Sequence, residues 1–64
     1  MANQFSNWAS EINKDWIGGY QATASEESLS VSLNGEIVAT VDRRMQVSGT
    51  DENAIDQLTY MTNR

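Results

Sequence analysis

The side chains here that could do chemistry are carboxylates and hydroxyls: nine Asp and Glu and seven serines, beside four Lys and Arg, with no His and no Cys. That inventory removes zinc sites built on thiolate or imidazole, disulfides, Cys or His catalysis and the Ser-His-Asp triad. A serine nucleophile still needs a base, and the amines on offer are Lys14 and the N-terminus. Lys14 falls on the polar face of a helical stretch, where an exposed ammonium stays charged and accepts no proton. Glu26-Glu27 and Asp51-Glu52 are paired carboxylates, the residue type of general acid–base catalysis. Acid and base roles need a cleft that drives two pKa values apart, and 64 residues leave little room for one. A turn and a helix start explain both pairs. Asp51-Glu52-Asn53 lacks the Gly and the closing Glu of a calcium loop, and Gly18-Gly19 follows a helical stretch instead of leading a strand into one, so it ends a helix and cradles no phosphate. We expect a protein that is not an enzyme, uses no cofactor, metal or small-molecule substrate, and works by recognition.

Charge narrows what it recognises. The formal charge is −5 and the isoelectric point about 4.2. The cations are Lys14, Arg43, Arg44 and Arg64, too few to displace counterions from nucleic acid or to hold an anionic membrane. No run approaches the roughly 20 apolar residues of a bilayer span, and the first ten residues lack a basic segment followed by an apolar one, which points to the cytoplasm. The acids, Glu11, Asp15, Glu26, Glu27, Glu36, Asp42, Asp51, Glu52 and Asp56, could imitate a phosphate backbone; Arg43-Arg44 interrupts them, and a solvated surface explains the same composition. Chains below about 70 residues usually need disulfides, metal or oligomerisation to be stable. Only the last is open here, so a homodimer or a complex with a larger partner is expected.

The elements that must position these groups follow from periodicity. Phe5, Trp8, Ala9, Ile12 and Trp16 lie within about 100° of arc, one face of a helix over residues 4–17. The opposite face carries Asn7, Glu11, Lys14 and Asp15, and Gly18-Gly19 ends the helix. From Tyr20 the period becomes two, with Tyr20, Ala22 and Ala24 alternating against Gln21 and Thr23 up to a break at Ser25-Glu26-Glu27. Residues 28–42 hold a hairpin around Asn34-Gly35. A two-residue loop there pairs Val31 with Val38 and splits the hydrophobic set. A three-residue loop, Leu33-Asn34-Gly35, pairs Val31 with Ile37 and Leu29 with Ala39. It gathers Leu29, Val31, Ile37, Ala39 and Val41 on one face, and Ser28, Ser30, Ser32, Glu36, Val38 and Thr40 on the other. The three-residue loop is the expected register. Met45 and Val47 either extend the second hairpin strand or start another after a turn at Asp42-Arg43-Arg44. Thr50 is the expected N-cap of a second helix whose stripe is Ala54, Ile55, Leu58 and Met61, with Tyr60 to one side. The sum is one α+β domain over residues 1–64: an N-terminal helix, three or four antiparallel strands and a C-terminal helix, both helices on one face of the sheet.

Phe5, Trp8 and Trp16 belong to the core, or to an interface if the core continues across a dimer. The open sheet face and its turns are the expected recognition surface. Glu26, Glu27, Glu36 and Asp42 would steer toward a larger protein with a basic surface, and Val38, apolar among serines, would supply a desolvated contact. In size and acidity the chain is similar to small phage-encoded inhibitors of host enzymes or defence complexes, acting in the host cytoplasm, although no motif carries that likeness. Alternatives are an antitoxin or regulatory adaptor whose partner contacts DNA, and a small structural oligomer subunit. If the sheet-face surface is right, changing Glu26, Glu27 and Glu36 together to Lys slows association with the partner and weakens its salt dependence, as stopped-flow mixing at two ionic strengths would read.

Overall fold

The computed structural model describes residues 4–63, so Arg64 and the N-terminal amine lie outside the description. The elements are helix α1 (Gln4–Asp15), strands β1 (Tyr20–Ala24), β2 (Ser28–Leu33), β3 (Glu36–Asp42) and β4 (Val47–Gly49), and helix α2 (Glu52–Thr62). The strands form one sheet in the order β1-β2-β3-β4, each antiparallel to its neighbour. This is the expected α+β architecture. Val47 belongs to a fourth strand, reached through a turn at Asp42-Arg43-Arg44. Among the described residues, no helix is long and apolar enough to cross a membrane.

Both helices lie on one face because each has one apolar stripe to bury. Phe5, Trp8, Ala9 and Ile12 of α1 and Ala54, Leu58 and Met61 of α2 share a single cluster with Leu29, Val31, Ala39 and Val41 of the central strands. Phe5 meets Trp8 edge to face, with centroids 5.9 Å apart. Trp16 lies just past α1 and keeps the helical phase by donating its N–H to the Ile12 carbonyl at 3.1 Å. The chain then turns through Gly18 and Gly19, with φ of 111° and 88°, into β1. There Tyr20, Ala22 and Ala24 are half-buried while Gln21 and Thr23 are exposed, as the alternation predicts.

The hairpin register differs from the expected one. Asn34 and Gly35 both have positive φ, 56° and 83°, as a two-residue type I′ loop requires. Leu33 therefore pairs with Glu36 and Ser32 with Ile37. The ladder then shifts between Val31 and Ser32, so that Val31 pairs with Ala39 and Leu29 with Val41. Val38 is the extra residue of a β-bulge. The bulge removes the objection to a two-residue loop, since it reverses the phase of β3 and brings Ala39 and Val41 onto the core face. Ile37 leaves that face and is 62% exposed. Val38 does not stand among the serines of the open face; it is half-buried and packs against the core. Glu36, opposite Leu33, shares the phase of Val31 and not that of the serines.

The same bulge anchors the last third of the chain. The Val38 carbonyl accepts the N–H groups of Thr50 at 2.9 Å and Asp51 at 3.2 Å. Asp51, not Thr50, is the N-cap of α2, its carboxylate accepting from the N–H of Asn53 at 2.9 Å and of Ala54 at 3.3 Å. Thr50 cannot take that role because its own N–H is bound to the bulge one residue earlier. Gly49 lies opposite Ala39 with φ +148°, and a Cβ there would overlap the Val38 carbonyl oxygen and sit 2.6 Å from the Ala39 Cα. Backbone atoms cannot give way as a side chain can. Gly49→Ala is therefore expected to destabilise the fold by about 3 kcal/mol or more, read as a lowered urea midpoint; a change below about 1 kcal/mol would show that the β3–β4 approach is not tight.

Candidate functional site

The acids expected to form a recognition surface do not converge. Glu26 and Glu27 sit in the β1–β2 turn, where the Ser25 hydroxyl accepts from the N–H groups of Glu27 at 3.3 Å and Ser28 at 3.1 Å. Asp42 holds the β3–β4 turn at the same end of the sheet, accepting from the N–H of Arg44 at 2.9 Å and of Gln46 at 3.0 Å. Arg43 lies 3.6 Å from the Glu27 carboxylate, both side chains more than 70% exposed. Such a pair contributes little to stability, but it makes this end mixed in charge and not acidic. A shallow depression there is lined by Glu27, Ser28, Asp42, Arg43 and Arg44. Glu36 stands at the opposite end, in the β2–β3 hairpin.

The open sheet face is nearly free of charge. Thr23, Ser30, Thr40 and Ser48 form a row across all four strands, with Gln21, Ser32 and Ile37 beside it. Thr40 and Ser48 share a hydroxyl hydrogen bond at 3.1 Å, and the Ser32 hydroxyl donates to the Gln21 carbonyl at 3.4 Å. Its ligand chemistry is that of hydroxyls already occupied with one another or with backbone.

The helix layer is different. Glu11, Asp15, Asp51, Glu52 and Asp56, five of the nine acids, lie there against Lys14 alone, whereas the turns of the sheet set four acids against Arg43 and Arg44. Between the last turn of α1 and the first two turns of α2 runs an open groove of about 560 Å³, lined by Glu11, Asp15, Trp16, Ile17, Asn53 and Gln57. Ile17 is 92% exposed, the most exposed large apolar side chain described. Beside it Trp16 is half-buried and packs against the core. Asn53, Gln57 and Tyr60 share one flank of α2 at offsets of four and three residues, which places Tyr60, 70% exposed, one turn beyond the groove.

A chain of specific contacts fixes this groove. Trp16 meets the ring of Tyr20 edge to face, centroids 5.4 Å apart and planes at 88°. The Tyr20 hydroxyl donates to the Asp51 carboxylate at 2.7 Å. Asp51 in turn caps α2 at Asn53, which lines the groove. Tyr20 begins one edge strand and Asp51 follows the other, so this bond closes the helix layer across the full width of the sheet. Donation from Tyr20 holds the Asp51 carboxyl below its ordinary range, helped by the Ala54 and Asn53 amides against a smaller opposing effect of burial. The phenol of Tyr20 is raised, first by its bond to Asp51, then by burial and by the negative charge that ionisation would set beside Asp51.

Of the aromatic residues singled out in the sequence, Phe5 and Trp8 are buried in the core of one chain, and Trp16 lies between core and groove. Ile17, Tyr20, Asn53 and Gln57 were not singled out. Ile17 did carry a signal, an apolar residue off the helical stripe directly before two glycines. Among the described residues, no three carboxylates stand close enough to hold a metal ion. Compared with known proteins, the chain matches no family model, no curated protein and no solved structure.

The Tyr20–Asp51 bond has a pH signature. A depressed carboxyl contributes stability that is present above its unfolded value, about pH 4, and is lost as pH falls through the lower folded value. A raised phenol contributes stability that is present below its unfolded value, about pH 10, and is lost as pH rises through the higher folded value. The stability difference between the native chain and Tyr20→Phe is thus expected to be widest near neutrality and to shrink at both extremes in urea titrations. A difference flat from pH 3 to pH 11 would show that the bond does not couple to folding.

Proposed function

We propose that this protein is a stoichiometric binding module that docks on a larger protein in the cytoplasm, using the groove between its helices to take an apolar side chain flanked by basic ones. The observation that carries this reading is the exposed Ile17 beside half-buried Trp16, set between the carboxylates of Glu11 and Asp15. Exposed carboxylates contribute long-range attraction and orientation more than affinity, while a tryptophan and an aliphatic residue at the centre supply the desolvated contact. The two kinds of group coincide here and nowhere else among the described residues. Occupying a basic surface of a larger protein is also the way a small acidic inhibitor works, the mode that size and charge suggest. Compared with the sheet-end surface expected from sequence, the groove has the higher local negative charge and the larger apolar centre.

The test uses two short helical peptides of the same length, one of Lys and Leu and one of Glu and Leu, titrated into isotopically labelled protein. The Lys peptide is expected to shift amides of residues 11–17 and 53–57, to weaken as salt rises, and to lose roughly tenfold in affinity when Ile17 is changed to Ser. Shifts confined to Glu26, Glu27, Glu36 and Asp42 would return the site to the sheet turns. Equal binding of the Glu peptide, or none of either, would overturn the reading.

A further inference from the structure

Strand β1 is the longer of the two sheet edges, five residues against three in β4. An edge of this length offers unpaired N–H and C=O groups to any other strand, and proteins blunt such edges with Pro, Lys, bulges or a covering element. The sequence of β1, Tyr20-Gln21-Ala22-Thr23-Ala24, contains no Pro and no charge, and its ladder with β2 runs without a bulge up to Leu33 on one side and Leu29 on the other. What covers it is a single side chain. The Asn13 carboxamide donates from Nδ2 to the Ala22 carbonyl at 3.1 Å and accepts the Ala22 N–H at Oδ1 at 2.8 Å. Two bonds exchanged with the N–H and C=O of one residue are the pattern by which a residue of an added antiparallel strand pairs with the one opposite it. Asn13 therefore occupies the place of a strand partner at the centre of the free edge. Its position on α1 explains how: about 80° round from Phe5, it lies on the flank turned toward β1, opposite the groove flank of Glu11 and Asp15.

We propose that the β1 edge is a pairing surface for β1 of a second copy of this chain, held closed by Asn13. The occupant follows from the strand itself. A two-fold antiparallel pairing centred on Ala22 sets Ala22 against its own copy, Gln21 against Thr23 and Tyr20 against Ala24, so the same residues serve both sides, as a closed dimer requires. Two chains that each carry −5 can meet there with no like charges opposed across the seam. On the core side the seam presents Ala22 and Ala24, small enough for the two sheets to run on as one. With Asn13 in place the centre of the edge has no free donor or acceptor, and the chain stays single.

Sedimentation equilibrium of the native chain, Asn13→Ala and the double variant Asn13→Ala with Ala22→Pro tests this. The native chain is expected at one-chain mass and Asn13→Ala at two-chain mass, since Asn13 is exposed and its loss leaves the core intact. The double variant is expected to return to one chain, because proline removes the Ala22 N–H, which faces away from β2, and is tolerated on an edge strand. Asn13→Ser, too short to reach Ala22, replaces the alanine variant should that one lose its circular dichroism. A single-variant chain that stays monomeric overturns the proposal. So does a native chain already dimeric, or a double variant that remains dimeric through some other surface. Binding of the Lys and Leu peptide does not enter these readings, so the groove and the guarded edge stand or fall separately.

Discussion

Val38 gives one carbonyl oxygen to two amides, those of Thr50 and Asp51, and both bonds exist because β3 holds one residue more than β2 opposite the step from Val31 to Ser32. A bulge breaks one ladder pairing, turns the strand and re-aims the residues beyond it. Here it has three consequences that no other element supplies. It restores Ala39 and Val41 to the core after a two-residue loop has placed Ile37 outside. It brings β4 so close to β3 that only glycine fits at position 49. It also fixes the residue at which α2 can begin, which makes Asp51 the cap and puts its carboxylate within reach of Tyr20. The groove between the helices is thus positioned from the far side of the sheet.

Much of this was legible in side-chain order, and the features that were not have a common cause. The stripes of α1 and α2 and the alternation of β1 are repeats of one side-chain property at one period, and each element buries the face so marked. The bulge is a backbone event. It shows in sequence only as two consecutive apolar residues, Ile37 and Val38, which a change of loop length explains equally well. Asn34-Gly35 did specify its preferred two-residue turn, and the hydrophobic pattern argued against that turn only because the bulge was invisible to it. Thr50 and Asp51 are both good caps, and the choice between them depends on which N–H the bulge has already taken. The Tyr20–Asp51 bond joins residues 31 positions apart and has no local signature.

Charge location also decides more than charge total. A net −5 spread evenly would steer no partner to a particular face. The helices hold five acids against one lysine, the turn end of the sheet mixes Glu26, Glu27 and Asp42 with two arginines, and the open face carries hydroxyls. Attraction therefore points toward the helix layer, and the field there is undiluted by nearby cations. That layer also exposes Ile17 and Tyr60, where contact area would be gained after encounter.

The same groove bears on stability. Domains are stable by about 0.05 to 0.15 kcal/mol per residue, which for this length is only a few kcal/mol to about ten. Burying one fully exposed isoleucine is worth about 1.5 to 3 kcal/mol. Ile17 exposed at 92% therefore leaves outside the fold a contribution comparable to much of what holds it together. Trp16 is half-buried against Tyr20, and Tyr20 is bonded to the cap of α2, so a partner that covers Trp16 and Ile17 extends the existing core and does not merely touch a rigid surface. Binding of that kind draws on the folded state alone, and it must stabilise the fold by mass action to the extent that it occupies the groove. In a chain with no disulfide, the apolar residues held back from the core become its means of coupling folding to recognition.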